Sequence, residues 1–272
     1  MGFQKLVRYE QDDNVHYGEL LETSDDGFKV AKLNGSIADG FSTANAEPIT
    51  VKKLLCPLER TPIVQCIGVN YRQHADEAKM PVPSYPVLFS KPSDTLAGPS
   101  DDIPIHPDAH PMMDFEGEMT VIIGRDAKNV SESEALDYVL GYTVGNDVSA
   151  RNFQLKDAAG GQFGFSKSFD AFAPIGPAIW STECVPNPQS LQLTTRVNGE
   201  VRQATNTSDM IWSVRQIIAH LSRGRTLRSG TVIMTGTPSG VGFFQKQFLK
   251  NGDIVEVEIE GLGKISNKMV FD

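Results

Sequence analysis

Two glutamates stand two residues apart in Asp114-Phe-Glu116-Gly-Glu118, directly before the apolar run Met119 to Ile123. On a strand, positions i and i+2 share a face, so both carboxylates point one way while Phe115, Gly117 and Met119 point the other. At a water-exposed strand edge that repulsion is screened and the pair needs no function. A second apolar run, Tyr142 to Val144, leads to Asp147 and brings a third carboxylate to the end of a buried strand. Three acids converging there would suffer large pKa shifts unless a divalent cation neutralised them. Ligation by oxygen alone favours Mg²⁺, Mn²⁺ or Ca²⁺ over zinc.

Other residues offer further chemistry. His74-Ala-Asp-Glu77 has i, i+3 spacing, so on a helical turn Glu77 can accept from one imidazole nitrogen and leave the other as a base; an ordinary surface helix pair has the same spacing. Lys167, between Ser166 and Ser168, taken alone reads as a solvated loop residue. Arg151 carries a planar fork that can grip a substrate carboxylate or clamp Asp147 internally, and Gln154, three residues on, adds a donor on the same side of a helix. The stretch Thr235-Gly-Thr-Pro-Ser-Gly-Val-Gly242 lacks both the Gly-Lys-Ser/Thr ending of a P-loop and the G-x-G-x-x-G of a dinucleotide fold, which leaves an ordinary glycine turn open.

Strands must position most of these groups. Apolar runs of strand length occur at Pro86 to Phe89, Met119 to Ile123, Tyr142 to Val144, Leu191 to Val197, Val232 to Met234 and Ile254 to Ile259. Asn198-Gly199 predicts a type I′ hairpin, and Gly261-Leu-Gly263 a second turn. Helices are fewer. A capping box at Ser131 to Glu134 predicts one as the crossover towards Asp147, and a second begins at Ser208 or Asp209, presents Ile211, Val214, Ile217, Ile218 and Leu221 on one face and closes at Gly224. Residues 1–57 form a small β-rich N-terminal unit, and the two prolines of Pro57 to Pro62 feed the apolar strand that opens the main unit, 58–272. The class is α+β, mainly β.

Composition narrows the functions. The 272 residues are 40% hydrophobic and 22% charged, an ordinary globular balance. A net charge of −9 with scattered Lys and Arg argues against nucleic acid. No apolar stretch approaches the roughly 18 to 20 residues of a bilayer span, and Met1 to Asn14 has no signal-peptide core. Cys56, Cys66 and Cys184 lack metal or disulfide spacing and read as reduced thiols. An intracellular place, cytoplasmic or mitochondrial, is expected.

Taken in order, Ile67-Gly-Val-Asn-Tyr-Arg-Gln-His74, Leu88-Phe-Ser-Lys-Pro92, Glu116-x-Glu118, Gly145-Asn-Asp147-Val-Ser-Ala-Arg151, Ser166-Lys-Ser-Phe169 and Met234-Thr-Gly-Thr-Pro-Ser-Gly-Val-Gly242 resemble the fumarylacetoacetate hydrolase family over about Ile63 to Phe271. The resemblance is to its small branch of acylpyruvases, oxaloacetate decarboxylases and tautomerases, and hydroxyheptadienedioate isomerases. It implies a mixed β-roll or sandwich core, a homodimer, and Mg²⁺ or Mn²⁺ held by Glu116, Glu118 and Asp147. It also implies a His74–Glu77 catalytic dyad, Lys167 facing the substrate, Arg151, Gln154 and Thr237 binding it, and Met80 to Tyr85 as a lid. Val69 stands where resembling acylpyruvases carry an arginine, which points away from acylpyruvates and towards a compact diacid such as oxaloacetate.

The implied enzyme acts on small 2-oxo or 1,3-dicarbonyl acids through a metal-bound enolate, by tautomerisation, decarboxylation or C–C hydrolysis, with hydroxyheptadienedioate-type isomerisation as the alternative. A competing class is a binding protein that keeps the metal and does no chemistry. Retention of an acidic cluster with no structural need for it argues against that class.

Overall fold

The apolar runs pair into two sheets in the computed structural model, which describes residues 2–272. The larger sheet has 12 strands. Its main path runs Gly40–Thr43, Gly27–Ser36, Asn14–Ser24, Lys5–Gln11, Ala173–Ser181, Val139–Asn146, Gly117–Ile123, Val232–Met234, Val64–Gly68, Val87–Lys91. The smaller has five strands in the order Glu200–Asn206, Gln192–Val197, Ile254–Ile259, Gly263–Phe271, Ile103–Ile105. Parallel pairing of Val232–Met234 with Val64–Gly68, and of Gly263–Phe271 with Ile103–Ile105, makes both sheets mixed. Among the described residues no helix is long and apolar enough to cross a membrane.

Every residue of Gly117–Ile123 and Val139–Asn146 is buried, because each strand feeds two cores. Met119, Val121 and Ile123 pack with Leu193, Val257 and Ile259 of the smaller sheet. Ile122, on the opposite face, packs with Val64, Val232, Met234 and Ile179. Period-two alternation therefore places Glu116 and Glu118 away from the smaller sheet, as the sequence predicts. Gly117 faces that sheet, where an added Cβ would lie 2.0 Å from Thr195 Oγ1 and 3.0 Å from Val257 Cγ1. The glycine lets the second sheet press directly under the two glutamates.

The strands at the N-terminus extend the main sheet, since Leu6 pairs with Ile179 and Lys5 with Trp180. Phe3, Leu6, Leu33 and Phe41 share a core with Val64, Ile122 and Met234. The Asn198-Gly199 hairpin forms, with Val197 opposite Glu200 and both turn residues at positive φ. The Gly261 to Gly263 turn joins its two strands as expected. Cys56, Cys66 and Cys184 are free thiols.

Both expected helices differ from the sequence reading. Ser131 to Glu134 is a turn followed by the 3₁₀ segment Ala135–Tyr138. The flanking strands are antiparallel neighbours, so the short link needs no crossover helix. The second helix is Val214–Leu221, capped by Ser213 and Gln216 in a reciprocal box, with Val214, Ile217, Ile218 and Leu221 buried. Ser208 and Asp209 lie instead in the 3₁₀ turn Thr207–Asp209, and Ile211 and Trp212 are held by their amides to the Asn70 carbonyl and side chain at 2.7 and 2.8 Å. Those long-range bonds outcompete a local helical start.

Candidate active site

Glu116, Glu118 and Asp147 each present a carboxylate oxygen, all within 4.8 Å of one another, and all three are buried. Their backbones are cross-tied. The Asp147 amide donates to the Glu116 carbonyl at 2.9 Å, and the Glu116 amide donates to Asn146 Oδ1 at 2.9 Å.

Three cations penetrate this acidic cluster. Lys167 Nζ donates to Glu116 Oε2 and Asp147 Oδ2, each at 2.8 Å, and to Ser149 Oγ at 2.7 Å. Lys91 Nζ donates to Asp147 Oδ1 at 2.6 Å and to the Phe172 carbonyl. Arg151 spreads its fork over Asp114 Oδ2 at 2.8 Å, Glu116 Oε1 at 2.5 Å and Gln154 Oε1 at 3.0 Å. Burial alone would raise the Glu116 pKa, but Lys167 and Arg151 outweigh it and lower it to about 2. Burial by itself would push Lys167 down, yet the Asp147 and Glu116 carboxylates hold it above its ordinary value.

Glu118 is the exception. Among the described residues no lysine or arginine forms an ion pair with it, and its hydrogen-bond donor is the Gly236 amide at 2.6 Å. Burial, then the charges of Asp147 and Glu116, raise its pKa well above the usual carboxylate range. A buried carboxylate short of positive charge, beside two others, with oxygen donors throughout, is a set that a hard divalent cation fits.

His74 Nδ1 lies 3.3 Å from Glu77 Oε2 on the helix Arg72–Glu77. Glu77 also accepts from the Gly240 amide at 3.1 and 3.2 Å and from Gln245 Nε2 at 3.2 Å. Burial opposes its ionisation, but these bonds prevail and keep its pKa below the ordinary value. Thr237 Oγ1 donates to the Gly117 carbonyl at 3.0 Å and accepts from Gln203 Nε2 at 2.8 Å.

Nine residues singled out by sequence therefore meet at one place. His74, Glu116, Arg151, Gln154, Lys167 and Thr237 line a single cavity of about 210 Å³, with Val69 on its wall. Glu118 and Asp147 complete the acidic cluster, and Glu77 stands behind His74. Two alternatives are corrected. Lys167 is 3% exposed, so it is no solvated loop residue. Arg151 clamps Asp114 and Glu116, because Lys91 and Lys167 already occupy Asp147.

Lys91 and Asp114 stand within motifs read from the sequence but without a role of their own, and Gln203 stands in none. Lys91 ends the strand Val87–Lys91 fully buried, and a lysine closing an apolar run before Pro92 is the signal it leaves in the sequence. Asp114 accepts from the Gly242 and Phe243 amides at 2.7 and 2.9 Å besides Arg151. Gln203 leaves no local signal, since its partners come from two other segments: Gly117, and Thr237 with Pro238.

Residues 63–270 match the family model described as fumarylacetoacetate (FAA) hydrolase C-terminal. A fumarylacetoacetate hydrolase domain-containing protein 2 homolog of Dictyostelium discoideum is 45% identical over 82% of this chain and 75% of its own length. A mitochondrial oxaloacetate tautomerase of Xenopus laevis is 43% identical over 80% of this chain and 68% of its own. The crystal structure of 2-hydroxyhepta-2,4-diene-1,7-dioate isomerase from Mycobacterium marinum superposes with a TM-score of 0.85 at 34% identity, covering 99% of both chains. With the family model spanning most of the sequence and relatives this close over most of their own length, the chain belongs to the fumarylacetoacetate hydrolase family of enzymes.

Proposed function

We propose that this enzyme interconverts the enol and keto forms of small 2-oxo acids of the oxaloacetate kind, or decarboxylates them. The observation that supports the reading is Glu118, a buried carboxylate without a cationic partner among the described residues, next to a cavity lined by His74 with Glu77 behind it. The likeness to a named oxaloacetate tautomerase supports the substrate class. Glu116, Glu118 and Asp147 would hold Mg²⁺ or Mn²⁺, which when bound supplies Lewis-acid polarisation of a 2-oxo group.

The remaining chemistry belongs to the protein. His74, oriented by Glu77, moves the proton at C3. Lys167 adds positive charge beside the oxygen on which negative charge develops. Arg151 Nη1 and Gln154, bonded to each other, are placed to exchange that bond for a substrate carboxylate. Half-buried Val69 stands on the wall where the resembling acylpyruvases carry an arginine, so that anchor for a longer acylpyruvate is missing, while Arg151, Lys167 and Thr237 remain for a compact diacid. In the hydrolytic variant His74 would activate water. An isomerase of the hydroxyheptadienedioate type is a second reading, supported by the solved structure at 34% identity. A homodimer and an intracellular place, cytoplasmic or mitochondrial, belong to the same proposal.

The test is turnover of enol-oxaloacetate, oxaloacetate decarboxylation and acetylpyruvate cleavage, each with Mg²⁺, with Mn²⁺ and after chelation. The proposal expects metal-dependent oxaloacetate chemistry with kcat/KM above that for acetylpyruvate. Absence of any turnover with metal would reject it in favour of a binding role.

A further inference from the structure

The cavity has two chemically different ends. Of its lining residues, Glu116, Arg151 and Lys167 are buried, and with half-buried Gln154 they make the inner, polar end. The apolar lining is nearer to solvent, with Val69, Phe89, Phe163 and Phe243 half-buried and Met80 and Phe244 exposed, and it makes the outer end. Its aromatic rings are paired, Phe89 with Phe163 at 5.8 Å and Phe243 with Phe244 at 5.3 Å. The apolar wall begins at the catalytic groups themselves. Phe244 is 5.7 Å from the His74 ring, Lys167 Nζ lies 5.2 Å from Phe89, and the Arg151 guanidinium lies 5.8 Å from Phe243. Among the lining residues, Lys167 and Arg151 are the lysine and arginine present, and both are inner.

From this division we propose that the enzyme also accepts 2-oxo acids carrying an apolar group at C3, an aryl group above all, and interconverts their enol and keto forms. The inference rests on the enol–keto reading of the same site. Oxaloacetate keeps its second carboxylate next to C3, at the inner end. A larger C3 substituent must extend outward, where a charged group would lose water among aromatic rings while the nearest cations, Lys167 and Arg151, are already paired with Asp114, Glu116 and Asp147. An aryl group there loses contact with water and gains ring contacts. The volume of about 210 Å³ is below the roughly 300–1,000 Å³ of drug-sized sites, which restricts the substituent to about one ring. Val69 lines this end with a φ of 52°, a conformation β-branched residues avoid, so the surrounding fold holds an aliphatic group on this wall against a local preference.

The reaction is balanced without a co-reactant. His74 delivers a proton to C3 as the C2–C3 double bond becomes single and the C2–O bond becomes a carbonyl. The enol hydroxyl proton returns to His74 through water.

The experiment compares ketonisation of enol-phenylpyruvate and enol-oxaloacetate by the full-length protein with Mg²⁺, followed by loss of enol absorbance. A kcat/KM for phenylpyruvate at least one tenth of that for oxaloacetate is expected. A smaller value with oxaloacetate turned over overturns this proposal and leaves the oxaloacetate reading standing; no turnover of either rejects both. Phe163→Asp and Met80→Asp, made separately, should each lower the phenylpyruvate-to-oxaloacetate ratio at least fivefold. Because both substrates are measured on one sample, partial misfolding cancels in the ratio. An unchanged ratio in the folded variants overturns the proposal.

Discussion

In the proposed function Glu118 connects metal binding to stability through a single carboxylate. Without a cation, burial beside Asp147 and Glu116 makes its ionisation unfavourable, a cost that Glu118→Gln removes while keeping an oxygen for the Gly236 amide. Relief of that cost is worth about 1 kcal/mol or more, and in a chain of this size about 2–4 °C in Tm per kcal/mol. In chelator, scanning calorimetry should therefore find the variant more stable than wild type. A lower Tm would mean that Glu118 already has an adequate partner. The His74–Glu77 pair makes a different prediction. His74→Ala should lower kcat by roughly 10² to 10⁴, the range of positioned acid–base groups, with metal still bound; steady-state rates at saturating Mg²⁺ decide it, and wild-type turnover would remove the dyad from the mechanism. Two carboxylates on one strand face, and His and Glu one helical turn apart, are local patterns visible in the sequence, but the spacing alone also fits a solvated face and a surface helix pair, and it is the family resemblance that gives the His74–Glu77 pair a role. The roles of Lys91, Asp114 and Gln203 were not legible, since their partners lie far away in the chain.

Strands were easier to read than helices, for a physical reason visible in the two that differed. Val232–Met234 and Ile254–Ile259 form where their apolar runs predict them, because burial on one or both faces decides a strand. The Ser131 box and the Ser208–Asp209 start are capping signals of a few residues, and tertiary bonds to Asn70 and an antiparallel neighbour overrode them. The smaller sheet contributes a coupling that no local pattern announces. Gln203, on Glu200–Asn206, accepts from the Gly117 amide at 3.0 Å and donates to Thr237 Oγ1 and the Pro238 carbonyl at 2.8 and 3.0 Å. It ties the strand carrying the glutamates to the loop carrying Thr237. Gln203→Leu takes this partner from the buried Gly117 amide and Pro238 carbonyl, costing about 1–3 kcal/mol, and leaves Thr237 Oγ1 held by its bond to the Gly117 carbonyl. A fall in Tm is expected; an unchanged value would show that the two elements hold their places unaided.

At the scale of the whole molecule the N-terminal strands and the site-bearing strands share one sheet and one core, through Leu6 and Ile179, Phe3, Leu33, Val64 and Met234. The sequence reading identified the β-rich character of residues 1–57 from turn spacing, but sheet continuity depends on pairing with Ala173–Ser181, a segment distant in sequence. Cooperative unfolding should follow from the shared core, as one calorimetric transition with equal calorimetric and van't Hoff enthalpies. Two separated transitions would contradict it. The same architecture explains why a chain with net charge −9 can bury Glu116, Glu118 and Asp147 together: two sheets meet at Gly117, strand ends bring the acids inward, and Lys91, Arg151 and Lys167 are carried in from separate segments.

The central claim is that these three carboxylates hold a divalent cation. Titration calorimetry of the chelator-stripped protein with Mn²⁺ tests it most directly, on wild type and on Glu118→Gln, whose fold is checked by its Tm. The account predicts one site per chain in wild type and at least tenfold weaker binding in the variant; Mn²⁺ binding of equal affinity to both would contradict it.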